Sequence, residues 1–84
     1  MKSDLEVELG EQPLHELMQD YKMSNHAIVA ACGEQLSHKV VNKARSGRRI
    51  SRHLQRKVLK GFNLAGYDLD DAFYERKIEE LFNY

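Results

Sequence analysis

Apolar residues recur along the chain at helical spacing, interrupted at short intervals. After Pro13, which suits the first turn of a helix, Leu14, Leu17, Met18 and Tyr21 fall at i, i+3, i+4 and i+7 and predict a first helix. Ser24 is a good N-cap, and behind it Ala27, Ile28, Ala31 and Cys32 repeat the spacing until Gly33 ends a second helix of about nine residues. Ser37 caps a third, with Leu36, Val41 and Ala44 inward and Gly47 as its stop. Ser51 caps a fourth, in which Leu54, Val58, Leu59 and Phe62 form the stripe and Asn63 takes the left-handed exit.

The ends of the chain follow other patterns. In "DLEVEL", Leu5, Val7 and Leu9 alternate with Asp4, Glu6 and Glu8 before Gly10, which predicts a short strand or extended arm that needs a partner edge. After the break "NLAGYD" at 63–68, Asp68 caps a fifth helix over 69–82. Asp70 and Asp71 lie in its first turn, and Tyr74, Ile78, Leu81 and Phe82 form its stripe. The expected architecture is all-α: a compact bundle of four to five short helices with an N-terminal extended arm. Its parts are the arm at 1–12, a helical domain at 13–66 and a C-terminal helix at 67–84.

Charge changes this picture. The 84 residues carry no net charge, yet residues 35–67 hold nine cations and no acid, net +9. Residues 1–34 hold two cations and seven acids, net −5, and residues 68–84 two cations and six acids, net −4. A basic centre between acidic ends predicts a polyanion-binding surface with an acidic reverse side. The bland alternative is a solvated helix face covered by neighbouring acids.

Composition narrows the classes. A hydrophobic fraction of 42% and a charged fraction of 31% suit one small soluble domain. Without an apolar run near the roughly 18 residues of a membrane span, and with an acidic amino terminus unlike a secretory signal, a cytoplasmic location is expected. The single cysteine, Cys32, makes no internal disulfide and is expected to be a small buried thiol. His15, His26, His38 and His53 share no i, i+4 pair and no HExxH, so neither a metal site nor a cofactor is expected. With no nucleophile elbow, P-loop or dinucleotide turn, the chain does not read as an enzyme.

A short helix, a glycine-containing turn and a serine-capped basic helix together read as a helix-turn-helix. The sequence here resembles the lambda-repressor-like (Cro, repressor and XRE-type) DNA-binding family. The resembling residues are Leu14 and Leu17, "KMSN" at 22–25 where the family commonly reads Gly-Leu-Ser-Gln, Ile28, Gly33, "LSHKVVNKARSG" at 36–47 and "SRHLQRKVLKGFNL" at 51–64. The turn "CGEQLS" is two residues longer than the family's, and Val29 stands where the family has alanine at the helix crossing.

The resemblance implies a DNA-binding transcriptional regulator, a repressor that occupies operator DNA as a homodimer. It implies sugar-phosphate contacts from Asn25, Ser37, Ser46, Arg48, Arg49 and Arg52. Base reading falls to the outward positions of the third helix, His38, Lys39, Asn42 and Lys43. Lysine reads guanine and asparagine pairs bidentately with adenine. Val40 is expected to pack, with a thymine methyl contact as its alternative, and Lys57 and Lys60, late in helix four, are expected either to suit the helix terminus or to join the basic surface. The expected dimer interface is Phe73, Tyr74, Ile78, Leu81 and Phe82, unless that helix caps the domain's own core or the strand at 4–9 pairs with its copy. Two other readings stand beside the repressor: an antitoxin or accessory regulator whose acidic ends hold a protein partner, and an interaction adaptor without DNA binding.

Overall fold

Three serines start three helices by the same bond. In the computed structural model, which describes residues 10–83, Ser24 Oγ accepts from the Ala27 amide at 3.1 Å, Ser37 Oγ from Val40 at 3.2 Å and Ser51 Oγ from Leu54 at 3.2 Å. Each bond satisfies one of the amides that a helix start leaves open. The helices are α1 (Pro13–Asp20), α2 (Asn25–Cys32), α3 (His38–Ser46), α4 (Arg52–Leu69) and α5 (Ile78–Leu81). Gly33 and Gly47 close α2 and α3 at φ 70° and 92°, where a Cβ would be strained. The described residues are thus an all-α bundle. The expected strand at 4–9 lies outside them.

The core forms where α2 crosses α4. Ile28 and Cys32 of α2 meet Val58 and Phe62 of α4, with Leu14 and Met18 of α1 and Val41 and Ala44 of α3 closing the sides; all eight are 0–1% exposed. Val29, the bulkier residue at the crossing, is only half-buried and packs on the edge of this core. Gly61 lets the two helices touch, because a Cβ there would meet the Ile28 carbonyl. Gln12 joins the first and last described residues, Gly10 and Asn83, to α3. Its amide donates to Arg45 O at 3.2 Å, its side-chain Nε2 donates to Gly10 O, and its Oε1 accepts from the Asn83 amide at 2.8 Å. A buried glutamine 1% exposed is tolerated because both ends of its amide are bonded.

Two expected boundaries are corrected. Helix four was expected to end at Asn63, but α4 continues to Leu69. Asn63 is 7% exposed, and its side chain is committed elsewhere: Oδ1 accepts from the Arg76 amide at 2.9 Å and Nδ2 donates to Arg76 O at 3.0 Å. The amide thereby pins the chain at 76 to the flank of α4, as a neighbouring strand would.

The helix expected over 69–82 is only four residues long, and residues 70–77 are irregular. At about 100° per residue, Phe73 and Phe82 would lie on opposite sides of a continuous helix. Breaking it buries both, at 6% and 3%, with Leu81 at 0%. Asp70 does not extend a helix start; its Oδ1 accepts from the Ala72 amide at 2.9 Å and turns the chain. Phe73 then lies against Gly66, Tyr21 and Phe62, with ring centroids 5.1 and 5.6 Å from the last two. Arg76 locks this corner from within: it is 8% exposed, its Nη2 donates to the Tyr21 hydroxyl at 3.0 Å, its Nη1 to Tyr74 O at 2.9 Å, and its guanidinium lies 3.7 Å from the Tyr74 ring centroid.

The consequence for the expected interface is direct. Phe73, Leu81 and Phe82 belong to the chain's own core, Ile78 is half-buried against it, and Tyr74 alone of the five stands well exposed. Among the described residues no helix is long and apolar enough to cross a membrane.

Candidate nucleic-acid interface

Because α3 buries Val41 and Ala44, its opposite positions face out, and the segment is built to carry cations there. Lys39 and Asn42 are exposed and Lys43 is half-buried. Together with Arg45, Ser46 and Arg48, and with Glu11 and His15 from the α1 side, they line an open concavity of about 700 Å³. Glu11 is the acid among these lining residues; its side chain is largely solvent-exposed and sits 4.0 Å from His15 Nε2. The acids at 68, 70 and 71 lie at or beyond the C-terminal end of α4, whose 18 residues span about 27 Å, and Glu75 lies beside Arg56 and Lys60 on the flank of that helix. They do not cover the concavity.

The expected site residues are thus partly gathered. Lys39, Asn42, Lys43, Ser46 and Arg48 share the concavity. Arg49 and Arg52 are exposed on the loop behind α3 and at the start of α4, outside its lining. His38, exposed at the first position of α3, stands with its ring centroid 5.8 Å from that of His26 on α2. Ser37 spends a lone pair on capping α3 and keeps its hydroxyl proton to donate, whereas Ser46 already donates its proton to Lys43 O at 3.3 Å.

Asn25 has a role that its expected phosphate contact did not include. Arg45 Nη1 donates to its Oδ1 at 2.8 Å, and its Nδ2 donates to Asn42 Oδ1 at 2.5 Å. Arg45 Nε in turn donates to His15 Nδ1 at 3.0 Å. Four side chains from α1, α2 and α3 therefore form one polar chain ending on the outer face of α3. Asn42 and Arg45, three apart on α3, share a helix face, and that spacing was the available signal. The partners from α1 and α2 gave none.

Two cations of the basic segment serve the turn between α2 and α3. Lys57 Nζ donates to Gln35 O at 3.0 Å, and Lys60 pairs with Glu34 at 2.9 Å. Because α4 runs on to Leu69, neither stands at a helix end as expected; both fasten the turn to α4. The hydrogen bond from the Lys60 ammonium, and its charge, hold the Glu34 carboxyl below its ordinary pKa, and the same contact raises Lys60.

Arg56, one turn before Lys60 on α4, lies with it beside Leu64, Tyr67 and Glu75 on the flank of that helix. Cys32 is a buried thiol in the core. Among the described residues no group of three or more His, Cys, Asp or Glu side chains is placed to hold a metal ion. No protein-family model, curated protein or solved structure gives a significant match to this chain.

Proposed function

We propose that the protein is a double-stranded DNA-binding regulator that lays α3 in the major groove. The observation that carries this reading is the concavity in which Lys39, Lys43, Arg45 and Arg48 converge with Asn42, while most of the acids lie elsewhere. Lys39 and Lys43 are one turn apart and reach base edges from the middle of the helix, while Arg48, Arg49, Arg52 and the Ser37 hydroxyl face the flanking phosphates. Occupancy of operator DNA then represses transcription by excluding polymerase.

A single α3 reads few base pairs, so the unit that binds is a homodimer with two recognition helices about 34 Å apart. Since most of the aromatic C-terminal side chains are core, the second copy is expected on the exposed apolar residues at the other end of the molecule: Leu64 and Tyr67 of α4, Leu69 and Tyr74.

Fluorescence anisotropy of labelled random duplex at several salt concentrations tests the reading. With about six phosphates neutralised per subunit, log K falls against log salt with a slope near −5 for each subunit bound, about −11 for the dimer. Lys39→Ala and Lys43→Ala weaken binding, whereas Lys57→Ala leaves it nearly unchanged because that ammonium serves the turn. Salt-independent binding, or none, refutes the proposal and leaves the adaptor reading, in which the same basic face docks on an acidic protein.

A further inference from the structure

The polar chain from His15 to Asn42 has a direction, and it follows from donor chemistry alone. A guanidinium donates and never accepts, so the Asn25 atom facing Arg45 Nη1 must be its carbonyl oxygen. The NH₂ of Asn25 is then the group that faces Asn42. An amide NH₂ does not accept, so Asn42 must meet it with its own oxygen. The end of Asn42 left for solvent is its NH₂, and the residue is exposed. The arginine on the inner side of the relay thus sets which way round an outer amide stands, an assignment that the hydrogen-bond network makes unambiguous.

We propose that Asn42 is a donor-only reader and that the outer face of α3 recognises guanine, not adenine. The inference rests on the reading that α3 enters the major groove. Bidentate pairing with adenine needs the asparagine oxygen and NH₂ side by side on the outward edge, the oxygen accepting from N6 and the NH₂ donating to N7. The bond to Asn25 turns that oxygen toward α2. Lys39 and Lys43, which flank Asn42 on the same helix, carry donors and no acceptor. In the major groove guanine presents two acceptors on one base, N7 and O6, and so matches these three side chains, whereas the amino groups of cytosine and adenine find no outward acceptor on Lys39, Asn42 or Lys43. Asn25 and Arg45 are positioning residues in this arrangement; they act on the base through Asn42.

Selection of bound duplexes from a random pool, with the full chain and with Asn42→Ala and Asn25→Ala, tests this directly. The selected sites are expected to contain a G·C position whose discrimination Asn42→Ala relaxes about tenfold. Asn25→Ala frees the Asn42 oxygen and admits adenine at that same position, a change of base preference that a merely structural residue would not produce. Ser24 caps α2 independently of Asn25, and melting curves check that the variants fold. With the unaltered protein, replacing the guanine by 7-deazaguanine, which lacks the N7 acceptor, is expected to lower affinity about tenfold. If the position relaxed by Asn42→Ala is A·T, if no position relaxes, or if 7-deazaguanine binds as well as guanine, the inference falls while DNA binding stands. If no duplex is retained at any salt concentration, the DNA reading falls first and takes the inference with it.

Discussion

Gly61→Ala isolates what the α2–α4 crossing contributes. In an exposed helix interior, alanine is favoured over glycine by about 1 kcal/mol, so propensity alone predicts a more stable protein. The structure predicts the opposite. A Cβ at Gly61 falls inside van der Waals contact with the Ile28 carbonyl oxygen, and it lies 2.8 Å from Ile28 Cγ2 and 3.1 Å from the carbonyl carbon. That oxygen belongs to the backbone of α2 and has no rotamer to escape into, and Ile28 is itself 0% exposed. The whole of α2 must therefore retreat from α4 at the most extensive helix contact in the molecule. Overpacking of this kind costs about 1–3 kcal/mol and the rebuilt crossing loses further dispersion contacts, which together exceed the propensity gain. The net expectation is a loss of about 1–2 kcal/mol, equivalent to a fall in Tm of roughly 4–16 °C for a domain of this size. Urea unfolding with a common m-value, together with thermal melting, measures it. A Gly61→Ala protein as stable as the parent would refute the close approach.

Other perturbations test other joints. Asn63→Ala leaves the buried Arg76 N–H and C=O without partners and is expected to cost about 2–4 kcal/mol, with faster proteolysis within 70–77; equal protease resistance would show that the amide does not pin that segment. Ser37→Ala removes the cap of α3 and is expected to cost about 1 kcal/mol by chemical denaturation, while a change within error would mean that the Ser37 bond adds nothing in solution. By NMR titration, Glu34 is expected below its ordinary carboxylate range and to return there in Lys60→Met. Its lowered folded pKa means that the stability it adds is present above the unfolded value and is lost as pH falls through the folded one. For Lys60, raised by the same contact, the contribution is present below the unfolded value and is lost as pH rises through the folded one. High salt weakens this exposed pair.

The candidate site was legible in its cations but not in its geometry. Lys39, Asn42 and Lys43 could be placed on the outward face of α3 because Val41 and Ala44 claim the inward one. Nothing local showed that Asn25 and Arg45 would hold the Asn42 amide, since the bonded residues are 17 and 20 positions apart in sequence. Nor did charge counting separate Lys57 and Lys60 from the other cations, because their partners, Gln35 O and Glu34, meet them only when α2 lies on α4.

The same division runs through the fold. The serine caps, the glycine stops and the stripes of the first four helices are local: each depends on bonds spanning three or four residues, and the sequence by itself determined them. The extent of α4 and the fate of residues 70–77 were decided by tertiary structure. Asn63 favours a helix exit when considered alone, and acidic residues at 68–71 favour a helix start, each by about a kilocalorie or less. Burying Phe73 and Phe82 together, and bonding the Asn63 amide to the chain at Arg76, outweighs both preferences.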